Sequence, residues 1–300
     1  MIGIVAVSAT NLLGPDKRSQ AGAQQTTEPA PATYRDGHRT LLPTFRIVAT
    51  FGAPDGGAGL GDLGVGTPTQ AADRLVSDVV PAYDIGDKPV MPALELIATI
   101  AHDVPSANGL YSSRYPTNQI DRFLSAARQN GAILILDIQP GHANWMDEVR
   151  ALQPYLEMPD VSLALDPEWS VPKDKVPGDV IGSITQQQIN EVSAYLQQIV
   201  DEKNLPQKLL LIHQFKDYQL PDRSKIADRP GVAIAFNIDG YGTPEAKQAT
   251  YASITSPARG KAFPYGFKLF YEEDVKYGGR IMSPSEVMAL DPAPDIIVYE

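Results

Sequence analysis

Three hundred residues at 43% apolar content suffice for one large core, and a net charge of −11 with a sequence pI near 4.8 argues against nucleic acid or an anionic membrane as partner. The absence of cysteine excludes disulfides, thiolate metal sites and a Cys nucleophile. The four dispersed histidines, His38, His102, His142 and His213, form no HExxH pair and so disfavour a zinc hydrolase.

Residues 1–14 (MIGIVAVSATNLLG) are apolar but lack a basic start, which leaves two readings: an ordered or frayed terminus, or a trimmed export signal. Residues 15–40, rich in Gln, Thr, Ala and Pro, bury little and read as a linker or surface arm. Residues 1–45 are therefore expected to be an arm and 46–300 a single domain. No apolar run of about 18 residues is present to span a bilayer.

From Arg46 onward, strand and helix patterns alternate. Strands are predicted at 46–51, 90–101, 132–139, 161–169, 208–215, 232–239, 266–271 and 296–299. Helices are predicted at 69–83, 118–129, 144–156, 185–202, 244–254 and 284–290. The helix at Thr185 opens on a capping-box pattern with Gln188, and the one at Pro244 follows a Thr cap. Eight mostly apolar strands separated by helices fit a (βα)8 TIM-like barrel better than an open doubly wound sheet. The chain stops on the last strand, so the eighth helix is expected to be missing. Residues 15–45 are expected to pack where it would lie or to plug the barrel floor.

Gly59-Leu-Gly61-Asp-Leu-Gly64 matches GxGxxG, but Pro68 sets the helix start beyond the motif, and the acid at about the right spacing, Asp84, sits before the second strand instead of closing it. A dinucleotide fingerprint requires both features, so a rim loop is the preferred reading and no cofactor is expected. GxSxG and the GxxxxGK[ST] loop are absent, which excludes a nucleophile elbow and a P-loop.

The stronger signal is polar residues at strand ends, where this fold concentrates its chemistry. Asp137 and Gln139 share a face by period-two alternation, as do Asp166 and Glu168, and Asn237 and Asp239. On the fifth strand either His213 or Gln214 faces inward, not both. Glu95 and Lys268 interrupt apolar runs, where an unpaired charge is costly; they either neutralise other interior groups or join the site.

Asp166-Pro167-Glu168 resembles the Asp-x-Glu that closes a fourth barrel strand in chitinase-like and lysozyme-like glycoside hydrolases, although the fuller DxxDxDxE is not met. The resemblance implies Glu168 as proton donor, supported by Asp166. From about Tyr83 to Glu300, the LDIQPG, ALDPEW and HQF segments resemble a group of uncharacterised actinobacterial exported proteins, which implies export and a barrel.

Glycoside cleavage needs an acid and a second carboxylate. The expected catalytic set is Glu168 and Asp166 with Asp239 or Asp137 opposite. Gln139, His213, Gln214, Asn237, Glu95 and Lys268 are candidate substrate-binding residues. Trp169 and Tyr241, with Trp145 and Tyr271, offer faces for sugar stacking. The expectation is a glycoside hydrolase-like enzyme acting on a polysaccharide or cell-envelope glycan outside the cell, with carbohydrate as partner and no metal. The alternatives are a non-catalytic barrel that binds glycan or protein, and a divalent-metal-dependent hydrolase using Asp137, Asp166, Glu168 and Asp239.

Overall fold

The computed structural model describes residues 31–56, 60–276 and 278–300, with Met1 and Gly3. The chain divides into two compact units, Met1–Ala30 and Pro31–Glu300. Expectations for the arm between residues 4 and 30 lie outside the described residues.

Nine strands form among the described residues of the second unit: β1 (Arg46–Gly52), β2 (Val90–Ala101), β3 (Ser112–Arg114), β4 (Ile133–Ile138), β5 (Val161–Leu165), β6 (Lys208–Gln214), β7 (Val232–Ile238), β8 (Tyr265–Leu269) and β9 (Ile296–Tyr299). Eight of them pair in parallel in the order β1-β2-β4-β5-β6-β7-β8-β9, and β9 pairs again with β1. The sheet is thus a closed barrel with helices between its strands. β3 is appended antiparallel to the end of β2.

Alternation along each strand divides the apolar side chains into two layers. Ile47, Ala49 and Phe51 of β1 face the barrel interior, together with Met91, Ile133, Ile135, Ala164, Leu209, Leu211, Ala235 and Val298. Their neighbours Val48, Leu94, Leu134, Leu163, Leu210, Phe236 and Ile297 face outward and pack beneath the helices. Both faces being apolar is what makes the strands read as continuous hydrophobic runs.

The floor of the barrel is closed by residues 34–45. Tyr34, Leu41 and Phe45 join the interior layer. Gln207 Oε1 accepts from the backbone N–H groups of Leu41 and Leu42, at 3.0 and 3.1 Å, and the Tyr34 hydroxyl donates to the Gln207 carbonyl at 2.6 Å. One carboxamide therefore satisfies two N–H groups that would otherwise be stranded at the barrel base.

Several predicted elements differ in detail. The helix expected over 69–83 runs Pro68–Arg74, continues as a π-turn over Leu75–Val79, and tightens to a 3-10 turn over Val80–Tyr83. Pro81 has no N–H to continue the ladder, which accounts for the change of pitch. The helix expected over 144–156 is split at Leu152 into Trp145–Ala151 and Gln153–Leu156, with Pro154 at the start of the second piece. The Thr185–Gln188 capping box is present as read, and Thr243 caps Pro244–Thr255. No described helix is long and apolar enough to cross a membrane.

The loop after β1 has a packing role. A Cβ on Gly61 would collide with the Phe51 carbonyl oxygen and one on Gly64 with that of Ala53, so the glycines let the loop lie against β1. The following helix begins at Pro68, past the motif, and Gly59 lies outside the described residues.

Candidate active site at the barrel mouth

Seven of the eight barrel strands, β1 excepted, deliver ionisable side chains to one place. Glu95 (β2), Asp137 (β4), His213 (β6), Asn237 (β7) and Lys268 (β8) continue the inward-facing rows of their strands. Asp166, Asp239 and Glu300 follow in phase just beyond β5, β7 and β9. Six carboxyl groups, counting Glu168, thus surround two cations.

His213 is the hub. Its Nδ1 lies 2.5 Å from Asp239 Oδ2 and its Nε2 lies 2.8 Å from Glu95 Oε1, while Asp137 Oδ1 stands 4.0 Å from the same Nε2. Burial alone would lower the imidazole pKa, but the Asp239 and Glu95 carboxylates outweigh it, and the net shift is well upward. The two acids thus bias His213 toward an imidazolium that donates to one acid on each side.

Lys268 forms the second pole. Its ammonium reaches Glu300 Oε2 at 2.6 Å and lies 3.5 Å from the centre of the Phe51 ring. Burial opposes the charge, yet Glu300, Asp239, Glu95 and Asp166 together hold the lysine pKa above its ordinary value. Burial raises the Glu300 carboxyl, against the pull of Lys268.

The Asp166-Pro167-Glu168 segment arrives differently from the sequence expectation. β5 ends at Leu165, and Pro167–Trp169 is a 3-10 turn, so Asp166 and Glu168 do not share a strand face. Pro167 fixes its own φ and offers no N–H to a ladder, which favours the turn. The turn nevertheless brings both acids to the mouth. Asp166 Oδ2 accepts from the Trp169 indole N–H at 3.0 Å. Its carboxyl is pushed up to about 6 by burial, with His213 pulling it down and Asp239 pushing it up.

Glu168 is half-buried, and among the described residues no side chain hydrogen-bonds its carboxyl. Burial first, then the negative charges of Asp166 and Asp239, hold its pKa well above the ordinary glutamate value. These surroundings bias the Glu168 carboxyl toward its protonated form. Asp239 has a side chain 11% exposed and an Oδ1 with no partner.

The other sequence candidates divide by depth and direction. Asp137 is 0% exposed, with both carboxyl oxygens unpartnered and its pKa raised by burial and then by Asp166. It is too deep to meet a substrate directly. Asn237 is buried opposite His213 in the ladder, its amide also unpartnered, and its Oδ1 fills the space a Cβ on Gly266 would need. Gln139 Oε1 accepts from Ala101 N–H at 3.2 Å and so braces β2.

Gln214 does not reach the mouth. It takes the outward phase adjacent to His213, where Arg223 Nη2 donates to its Oε1 at 2.5 Å and its own Nε2 donates to the Lys216 carbonyl. Trp145 is buried in the layer under the helices and offers no face. Tyr241 is 55% exposed and packs edge-on to Phe270, while Tyr271 stacks on Tyr299 with its outer side in solvent. Two members of the cluster were missed from the sequence, Phe51 and Glu300. Glu300 lies two residues beyond Val298, so the inward phase of β9 would have signalled it.

No family model and no curated protein matches the chain. Among solved structures, a hyperthermophilic endo-β-1,4-glucanase in complex with substrate overlays with a TM-score of 0.37 at 10% identity, covering 70% of this chain and 77% of that one. A broad-specificity endoglucanase from Clostridium longisporum overlays at 0.37 and 10%, covering 70% and 71%. Values this low carry no argument about architecture or activity, and the strand pairings alone define the barrel.

Proposed function

We propose that the protein hydrolyses glycosidic bonds at the barrel mouth, with Glu168 as general acid and Asp239 as the second carboxylate. The observation that supports this reading most is the contrast between the two groups. Burial and neighbouring negative charge raise the Glu168 carboxyl, which has no side-chain hydrogen-bond partner among the described residues, while Asp239 is anchored by one oxygen to His213 and keeps a buried, unpartnered second oxygen. Carboxyl groups set apart by their surroundings are what acid-plus-nucleophile or acid-plus-base cleavage requires.

In this reading Glu168 protonates the departing glycosidic oxygen. Asp239 serves the anomeric carbon or activates water, and the His213–Glu95 pair keeps it oriented. Asp166, held by the Trp169 indole, acts on Glu168 by charge and is a positioning residue. Tyr241 and Tyr271 present aromatic faces at the rim for sugar rings. The substrate class is a polysaccharide or cell-envelope glycan, met outside the cell.

The test is turnover across a panel of polysaccharides and aryl glycosides, followed by Glu168→Gln on the best substrate. The variant should lose about 10²–10⁴-fold in kcat with its melting temperature nearly unchanged. Absence of turnover on every glycan, or full activity in Glu168→Gln, would overturn the proposal. Binding without turnover would assign the barrel to recognition instead.

A further inference from the structure

Glu95, Asp137 and His213 pose a question that acid catalysis leaves unanswered. Asp137 is wholly buried, yet neither of its carboxyl oxygens has a partner, and Glu95 Oε2 is unpartnered as well. Such groups cost about 1–3 kcal/mol each when left unsatisfied, so a native interior rarely keeps several together without a use. All three residues lie on strands of the closed barrel, β2, β4 and β6.

We propose that these three side chains hold one divalent first-row transition ion of the Zn²⁺ or Mn²⁺ class, bound through His213 Nε2 and one carboxylate oxygen each from Glu95 and Asp137. One ligand atom from each residue can be chosen so that all three lie within 4.8 Å of one another. The individual separations from Nε2 are 2.8 Å to Glu95 and 4.0 Å to Asp137. Ligand atoms sharing a tetrahedral ion at about 2.0–2.2 Å stand about 3.3–3.6 Å apart, so the observed spacings bracket what an ion needs.

The surroundings fit the same reading. His213 Nδ1 is committed to Asp239, which leaves Nε2 as the ligand atom and reproduces the carboxylate–histidine–metal relay that orients imidazole ligands. The ion would take the place of the proton that His213 otherwise shares with Glu95. Asp239 stays anchored in either state. One imidazole nitrogen among carboxylates favours a transition ion over Ca²⁺, which takes six to eight oxygens, more than Glu95 and Asp137 supply.

The ion site stands independently of the glycosidase reading. Full-length protein freed of metal with a chelator should bind Zn²⁺ or Mn²⁺ at one per chain in isothermal titration, with a rise in melting temperature. Asp137→Asn should weaken binding by more than about 100-fold and Asp239→Asn by about 10–100-fold. Glu168→Gln, which removes the proposed acid, should bind as the wild type does. Pulsed EPR of the Mn²⁺-loaded wild type should show coupling to an imidazole ¹⁴N, a readout that needs no variant to fold. Absence of binding, absence of ¹⁴N coupling, undiminished affinity in Asp137→Asn, or Ca²⁺ binding as tightly as Zn²⁺ would each overturn the site.

Discussion

The two ends of the barrel differ in how far they satisfy buried polar groups, the floor leaving Arg46 Nε without a partner among the described residues and the mouth leaving atoms of four side chains. At the floor, Gln207 satisfies two backbone N–H groups, and the buried Lys208 ammonium finds the carbonyls of Met158 and Val161 at 2.8 and 2.7 Å. At the mouth, Asp137, Asn237, Asp239 and Glu95 all keep side-chain atoms without partners. Proximity to the mouth alone does not explain this. The Lys247–Asp274 pair, on the helices that follow β7 and β8, is fully buried and closes its bonds to Gly240, Lys268, Gly242 and Phe270. The difference separates polar groups that hold the fold from polar groups kept available for something else.

Substitutions should therefore move stability in opposite directions at the two ends. Phe45→Ala at the floor should cost about 3–5 kcal/mol in urea unfolding, because it opens a cavity under the interior layer. Asp137→Leu at the mouth should raise stability by about 1–3 kcal/mol in chelator-treated protein, since it removes an unsatisfied buried carboxyl. A loss of stability there would mean that Asp137 is structural, and the contrast would fail.

A smaller effect sharpens the contrast through pH. Burial pushes the Lys208 ammonium down to about 7, from an ordinary value of 10.5. Between those two values the unfolded chain binds the proton and the folded one does not, so stability should rise with pH across that window. The slope contributed by this residue is at most about 1.4 kcal/mol per pH unit. Comparing Lys208→Met with wild type between pH 7 and pH 9 isolates it, and an identical slope in both would contradict the assignment.

Much of this architecture is legible in the residues. All eight barrel strands follow from apolar runs bounded by turns, and the inward phase of Asp137, Asn237, Lys268 and Glu95 follows from alternation. The choice between His213 and Gln214 does not, because a parallel strand buried on both faces carries apolar residues in either phase. The route of Glu168 was misread for a local reason, since Pro167 converts a strand end into a 3-10 turn. β3 is three residues long and leaves no periodic trace. The role of Gln207 depends on a contact with a segment more than 160 residues away, which no local pattern records.

Carbon-13 NMR titration of the Glu168 carboxyl, in wild type and in Asp166→Asn, tests most directly whether the mouth is built to hold a proton. Wild-type Glu168 should titrate well above the ordinary value of 4.5, and the midpoint should fall in Asp166→Asn, where a negative neighbour is gone while an oxygen remains for the Trp169 indole. A midpoint near 4.5 in both proteins would contradict the account.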